Sequence, residues 1–374
     1  MRFYFDHNAT TPVDPRVRAA FVRVIDEYWA NPSSIHQDGQ RARVLMEDAR
    51  RKVAAFLGAV PKEIVFTSGG TEAGNLAVLG AVRADDREHK HVITAAIEHP
   101  AVLEACRELE REGVAVTYLQ PSRDGVVDVD VLKRMIRAET VLVSVMHANN
   151  ETGVLQPLPA IGGICREAGV LLHSDGVQFR DAVRVTELGV DLYSISGHKL
   201  NAPKGVGALY VRSGVKLNSM LHGGRQERGR RAGTENAALA VALGEACGLE
   251  RLDVSKLRDR LERGICGRVP DCRVNGKNRI ANTVNIRFDG IGAESLLIAL
   301  DLRGFAVSTG SACSSGSVEP SHVLLAMGLS AEEARASVRF SLGLGNDEAQ
   351  VDALIEAVEE AVAQLRRLSP VYAS

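Results

Sequence analysis

The chain has 374 residues, 45% hydrophobic and 25% charged, a balance that excludes a disordered polypeptide. Lysine plus arginine number 45 against 47 acidic residues, and the formal net charge of −2 excludes a broad nucleic-acid-binding or anionic-membrane-binding surface while leaving room for local basic sites. No segment approaches the roughly 20 consecutive apolar residues of a membrane span, and MRFYFDHNATT turns polar too soon for a signal-peptide core. A cytoplasmic location without membrane association is therefore expected.

Seven short apolar, β-branched runs follow one another in the middle of the chain: EIVFT (63–67), HVITA (91–95), VAVTYL (114–119), TVLVSVM (140–146), VLLHSD (170–175), LYSIS (192–196) and VGALYV (206–211). Most are followed by a turn and a segment of helical period. This rhythm predicts βαβ units and a mainly parallel, doubly wound α/β sheet. Beyond residue 250 the rhythm changes to NTVNIRF (282–288), ESLLIALD (294–301), FAVST (305–309) and ASVRFSL (336–342), read as strand, helix, strand and strand. In 347–368, Val351, Leu354, Ile355, Val358, Val362, Leu365 and Leu368 share one helical face. The expected organisation is a large domain over 15–250 and a smaller α+β domain formed by 1–14 with 251–374.

Ligands in open α/β sheets bind beyond the carboxyl ends of the strands, so the residues directly after each run carry the most information. After EIVFT comes SGGTEAGN, in which Gly69 and Gly70 permit a sharp turn and Thr71 opens a helix. That is either a phosphate cradle or a plain capped turn. His99 stands at a strand-to-helix junction, where a helix cap is as good a reading as chemistry. Asn149, Asn150 and Glu151 form a tight Asx-type loop. Asp175 ends an apolar strand and must be hydrogen bonded or paired with a cation there. Ser196, His198 and Lys199 follow the next strand. A lysine in that place either snorkels to solvent or loses its proton and becomes a nucleophile toward carbonyls. Taken together, a phosphate cradle, a carboxylate and an amine at neighbouring strand ends are the groups that pyridoxal 5′-phosphate requires: an anchor, a partner for the pyridine nitrogen and a Schiff-base lysine. His99 would then stack on the ring, and Gln178 would reach its hydroxyl.

Arg339, in SVRFSLG, is a candidate fork for a substrate carboxylate. The six cysteines, Cys106, Cys165, Cys247, Cys266, Cys272 and Cys313, show no CxxC pair and no zinc spacing. Five sit in helical or apolar contexts and are expected to be structural. Cys313 lies in STGSACSSGS, a run of small residues that predicts an exposed loop. A free thiol is only about 3% thiolate at neutral pH, so its reaction would require a nearby base or cation. GGRQERGRRAGTEN (223–236) carries four arginines and Thr234, and suggests a loop closing over an anion.

DHNATTP (6–12), NPSSIH (31–36), FTSGGTEAGNLA (66–77), EHPAV (98–102), NNETG (149–153), HSDGVQ (173–178), SGHK (196–199), RRAGTEN (230–236) and TGSACSSGSVEPSHVL (309–324) together resemble the cysteine desulfurases of the NifS/IscS type. These are class V aminotransferase-fold enzymes of fold type I that use pyridoxal phosphate. The resemblance covers nearly the whole chain in order. It implies that Lys199 bears the cofactor, that Cys313 accepts sulfur from L-cysteine, and that Gly70, Thr71, Asn150, Asp175, Gln178, Ser196 and His198 contact the cofactor. It further implies that His99 stacks and moves protons, that Asn150 and Arg339 hold the substrate, and that Thr234 reaches the phosphate of the other subunit in a homodimer. The implied partners are an iron–sulfur scaffold protein or another sulfur acceptor. No metal site is expected beyond, at most, a transient iron–sulfur contact at Cys313. A selenocysteine lyase, another class V aminotransferase and a non-catalytic scaffold are the competing readings. The chain departs from the usual pattern at Gly176 (commonly alanine), at Arg180–Asp181 (commonly a Gly-Lys stretch), at Ala202 and at Arg225 (both commonly glycine).

Overall fold

The computed structural model describes residues 2–310 and 319–368. The apolar runs of the sequence become strands because alternate side chains find apolar partners on both sides. The strands are β1 (Phe3–Tyr4), β2 (Ile64–Thr67), β3 (His91–Ala95), β4 (Ala115–Leu119), β5 (Thr140–Ser144), β6 (Leu171–Asp175), β7 (Leu192–Ser196), β8 (Gly207–Val211), β9 (Cys272–Val274), β10 (Thr283–Phe288), β11 (Phe305–Ala306) and β12 (Ser337–Ser341). The central sheet has seven strands in the order β2-β8-β7-β6-β5-β3-β4. Strands β3 to β7 run parallel, whereas β8 is antiparallel to both of its neighbours. The mainly parallel α/β sheet is thus as the sequence predicts, with one reversed strand inserted beside the edge.

The two faces of this sheet are covered by different helices. Ile64, Phe66, Ile93, Val143, Leu172 and Ile195 point to one face. Helices α1 (Pro15–Glu27) and α2 (Gln37–Leu57), with the helix Ala237–Cys247, cover it. Val65, Val92, Leu142, Leu192 and Leu209 point to the other face, under α3 (Gly70–Arg83) and α4 (Pro100–Arg111). Each such fully buried side chain contributes about 1.5–3 kcal/mol against solvent exposure, and two-sided burial explains why these strands lack polar alternation.

A separate apolar core gathers Phe5, Ile265, Val284, Ile286, Phe340, Val358 and their neighbours. It lies between the antiparallel sheet β12-β10-β9 and the helices Ser255–Arg268, Ala293–Leu302 and Glu348–Leu368. β1 pairs with β11 in parallel, and a bridge from Asp6 to Ser341 ties the N-terminal segment to β12. The run FAVST gives a shorter strand than expected, Phe305–Ala306, because its partner β1 is only two residues long. His91–Ala95 and Leu192–Ser196 fall where expected, and the boundaries of the remaining expected strands move by one or two residues; Glu63, for example, belongs to a 3-10 turn opened by Pro61.

Candidate active site

The carboxyl ends of β2, β3, β5, β6 and β7 share one edge of the sheet, and the residues that follow them are drawn together there. At the end of β2, Gly69 caps α3 without a side-chain hydrogen bond. The amides of the first turn are therefore left to a ligand, and the helix dipole favours an anion. Gly70 is required by a close approach: a Cβ there would lie 2.7 Å from Cγ2 of Val177, in the loop after β6. Thr71 is exposed in the first turn of the helix.

Asp175, the last residue of β6, is buried, and its Oδ1 accepts the Val177 N–H at 2.9 Å. Burial raises its pKa, while His99 and Lys199 oppose that rise. Gln178 is buried with both polar atoms of its amide lacking a hydrogen-bond partner among the described residues. His99 caps α4 through Nδ1, which accepts the Ala101 N–H at 3.1 Å. Burial lowers its pKa, with Asp175 opposing, so the ring is predominantly neutral. Both readings of His99 thus coexist: Nδ1 serves the helix, and the ring stays near Asp175 and Lys199.

Lys199 closes the 3-10 turn after β7, behind the buried Ser196. Its Nζ donates to the Asn8 carbonyl. Burial, then Arg339, then Arg180 lower its pKa to about 7, against Asp6 and Asp175. This lysine does not snorkel; it is an amine held near its neutral form. His198 bonds Thr10 Oγ1 through Nδ1 at 3.2 Å, and burial lowers its pKa to about 4. Its carbonyl accepts from both the N–H and the hydroxyl of Thr11.

In the loop after β5, Asn149 folds back on itself: its Oδ1 accepts from the N–H groups of Glu151 and Thr152, both at 2.9 Å. The Asn150 carbonyl accepts from Arg339 Nη1 at 2.8 Å, while Arg339 Nη2 donates to Asp6 Oδ1 at 2.7 Å. Arg339 is buried and its Nε has no partner among the described residues, leaving a donor for a carboxylate. Arg339, Asn150, Asp175, Gln178, His99 and Lys199 are therefore gathered around one sheet edge.

One expected residue, Thr234, is not gathered with them within this chain. Thr234 is exposed in a hollow of about 250 Å³ shared with Thr67, Ser68, Gly205 and Arg231, which does not include Lys199. Cys313 lies outside the described residues. The arginine loop carries pairings that the sequence did not mark. Its buried anion is its own Glu227, which Arg50 holds at 2.7 and 2.8 Å, and Arg231 is taken by Glu72 at 2.9 Å. Of the five other cysteines, Cys106, Cys165 and Cys247 are buried as expected, but Cys266 is exposed and Cys272 is half-buried. The Cys272 thiol lies 3.3 Å from the Val269 carbonyl.

Sequence reasoning assigned no role to Asn8, Asp6, Arg180 or Glu98. The first three converge on Lys199 and Arg339 from the N-terminal segment and the loop after β6. Glu98 is fully buried, its Oε1 accepts the Met146 N–H at 2.6 Å, and burial raises its pKa well above the usual range. The dense polar cluster DHNATT, following the apolar RFYF, was the signal available for the N-terminal segment.

The departure at Gly176 has a packing reason. A Cβ there would lie 2.0 Å from Cζ of Tyr193. Tyr193 is itself fixed by a 2.7 Å hydrogen bond between its hydroxyl and His147 Nδ1, and His147 stacks on Phe179 at 4.0 Å.

Pyridoxal phosphate fits this donor set. The uncapped start of α3 suits its phosphate, Asp175 its ring nitrogen, the unpaired Gln178 amide its hydroxyl, and the Lys199 amine its aldehyde.

The class-V aminotransferase model matches residues 3–354. A cysteine desulfurase from Trichormus azollae is 47% identical over 378 aligned positions, covering 98% of this chain and 94% of that protein. Among solved structures, a NifS-like protein superimposes with a TM-score of 0.90 at 35% identity, covering 98% of this chain and all of the other. A structure described as SspA in complex with cysteine gives 0.84 at 37% identity, over 92% of this chain and 99% of its own. With its Lys199 site, its sheet order and these matches along nearly its whole length, the chain belongs to the class-V aminotransferase family, and within it to the pyridoxal-phosphate-dependent cysteine desulfurases of the NifS type.

Proposed function

We propose that this chain converts L-cysteine to L-alanine and passes the sulfur, as a persulfide on Cys313, to an iron–sulfur scaffold or another thiol acceptor. The observation that carries the reading is Lys199, a half-buried amine whose pKa is lowered to about 7, set beside Asp175 and Arg339 at the carboxyl edge of the sheet. When bound, the cofactor supplies an electron sink at the substrate's α-carbon. Around it the chain's own residues divide the work. The free Nε of Arg339 meets the substrate carboxylate beside Asn150. Such a charge-assisted bond contributes about 1.5–3 kcal/mol. Gly70 and Thr71 offer main-chain donors at the start of α3. Ser196 and His198 set the turn that presents Lys199, and Lys199, once free, takes the α-proton. His99, neutral beside Asp175, moves protons on the other side of the site.

The Cys313 thiolate attacks the substrate sulfur. The bond between Cβ and sulfur breaks, its electron pair stays on carbon, and protonation gives alanine. One sulfur atom is left on Cys313.

We further infer a homodimer in which Thr234 completes the phosphate site of the partner subunit. Its exposure and its separation from Lys199 within one chain support this arrangement. We assign residues 15–250 to a large cofactor-binding domain, and 1–14 with 251–374 to a small one. No helix among the described residues is long and apolar enough to cross a membrane, which agrees with a cytoplasmic enzyme. The test is to supply purified protein with L-cysteine and, separately, L-selenocysteine. With a dithiol reductant present to reduce the persulfide, the reading requires stoichiometric alanine and sulfide from cysteine. Release of alanine from selenocysteine alone would replace it with a lyase.

A further inference from the structure

Asn8 is held from several separate elements. Its N–H donates to Ser341 Oγ at 2.9 Å, and its amide nitrogen donates to Thr283 Oγ1 at 2.8 Å and to the Asn150 carbonyl at 3.1 Å. Its amide oxygen accepts from Asn282 Nδ2 at 3.0 Å and from Arg180 Nη2 at 3.1 Å. Its carbonyl receives Lys199 Nζ. Arg180 Nη2 also donates to the His7 carbonyl at 2.7 Å, and Nη1 reaches the Leu342 carbonyl at 3.5 Å. A single guanidinium, on the loop after β6, thus grips Asn8, whose carbonyl receives the Lys199 amine, and its neighbour His7.

This guanidinium is poorly placed for stability alone. Its Nε is buried without a partner among the described residues. Burial first, then Arg251 and Arg339, lower its pKa to about 10, with Asp181 and Tyr4 opposing. A shorter or uncharged side chain would fill the same place without crowding three cations. The cost is intelligible when the charge acts on a neighbour.

We propose that Arg180 is a positioning residue for the Lys199 amine: its fork fixes the His7–Asn8 backbone that receives the amine, and its charge adds to that of Arg339 beside it. The groups facing Lys199 are Arg339 from β12, Arg180, Asp6 from the N-terminal segment, Asp175 from β6, His99 at the head of α4, and its neighbour His198. Both arginines disfavour the protonated amine, and the two aspartates favour it. Removing the Arg180 charge therefore makes protonation at this nitrogen easier.

The proposal rests on Lys199 carrying the cofactor. Its test is a pH titration of the visible band of the resting, cofactor-loaded enzyme, in wild type, Arg180→Gln and Arg180→Lys. Arg180→Gln raises the midpoint by roughly half a pH unit or more, and Arg180→Lys, which keeps the charge, by less than half of that shift. Should the glutamine variant prove insoluble, Arg180→Met carries the same forecast, since it keeps the stem and drops the charge. A midpoint for the neutral variant within about 0.2 unit of wild type overturns the proposal, as does an equal shift in Arg180→Lys. A merely structural role would alter stability and leave the midpoint in place. Absence of the band in wild type would remove the premise and the proposal with it, whereas a normal band with an unmoved midpoint overturns the proposal alone.

Discussion

Replacing Gly176 by alanine introduces one methyl group where the structure has room for none. The added Cβ would stand 2.0 Å from Cζ, 2.2 Å from Cε1 and 2.3 Å from the hydroxyl oxygen of Tyr193. These are ring atoms, not the end of a flexible chain. Tyr193 is 1% exposed, and its hydroxyl is committed to His147 at 2.7 Å. Relief requires moving the ring together with His147 and Phe179, or moving the backbone between Asp175 and Gln178. Overpacking of this kind costs about 1–3 kcal/mol. In a chain of this length that lowers Tm by roughly 1–4 °C. Thermal unfolding of the cofactor-free protein measures it, and the double cycle with Tyr193→Met isolates the cause. In the methionine background the alanine costs at least about 1 kcal/mol less, because the opposing ring is gone. Additive losses, or a Tm for Gly176→Ala at or above wild type, would refute the packing argument and leave Gly176 unexplained.

Other forecasts follow from the same geometry. Lys199 has a folded pKa of about 7 against an ordinary 10.5. Between those values the unfolded chain binds the extra proton, so stability of the cofactor-free protein rises with pH by on the order of 1 kcal/mol per unit from this group. Urea unfolding from neutral pH to pH ~9.5 shows that slope flattened in Lys199→Met, which also lacks the visible band when loaded; equal slopes would contradict the depressed pKa. Arg339→Lys, which cannot fork between Asn150, Asp6 and a carboxylate, raises KM for cysteine by about 10- to 100-fold; an unchanged KM places the carboxylate elsewhere. Sedimentation of the loaded protein gives a dimer, and Thr234→Ala weakens cofactor retention; a monomer that retains the cofactor as tightly would remove the shared phosphate site.

Much of the central sheet could be read from the chain because its strands are buried on both faces, and continuous apolar runs are visible without contacts. Asp175 was legible for a related reason, since a charged residue that ends such a run has few places to go except the sheet edge; Lys199, just beyond its run, gained its reading only beside the phosphate cradle and Asp175. The reversed β8 was not legible, since direction leaves no mark on composition. Nor was the role of Asn8, whose partners Thr283 and Ser341 lie 275 and 333 residues away. Gly176 could be seen as a departure, but its cause is the Tyr193 ring arriving from the neighbouring strand. Arg180 likewise stood out only as an unusual residue until its fork was found on His7 and Asn8. In the arginine loop, the pairings of Glu227 with Arg50 and of Arg231 with Glu72 could not be read, since the partners lie far away in the chain.

In the proposed reaction Lys199 and Cys313 act in sequence on one substrate. It is tested most directly by a single turnover with L-cysteine in the absence of reductant, followed by peptide mass mapping and alanine determination, in wild type and Cys313→Ser. One alanine per active site and one added sulfur on the peptide containing Cys313 are expected, with the serine variant retaining its visible band and its cysteine-induced spectral change but forming almost no alanine. Alanine from Cys313→Ser at the wild-type rate, or added sulfur on another cysteine, would contradict it.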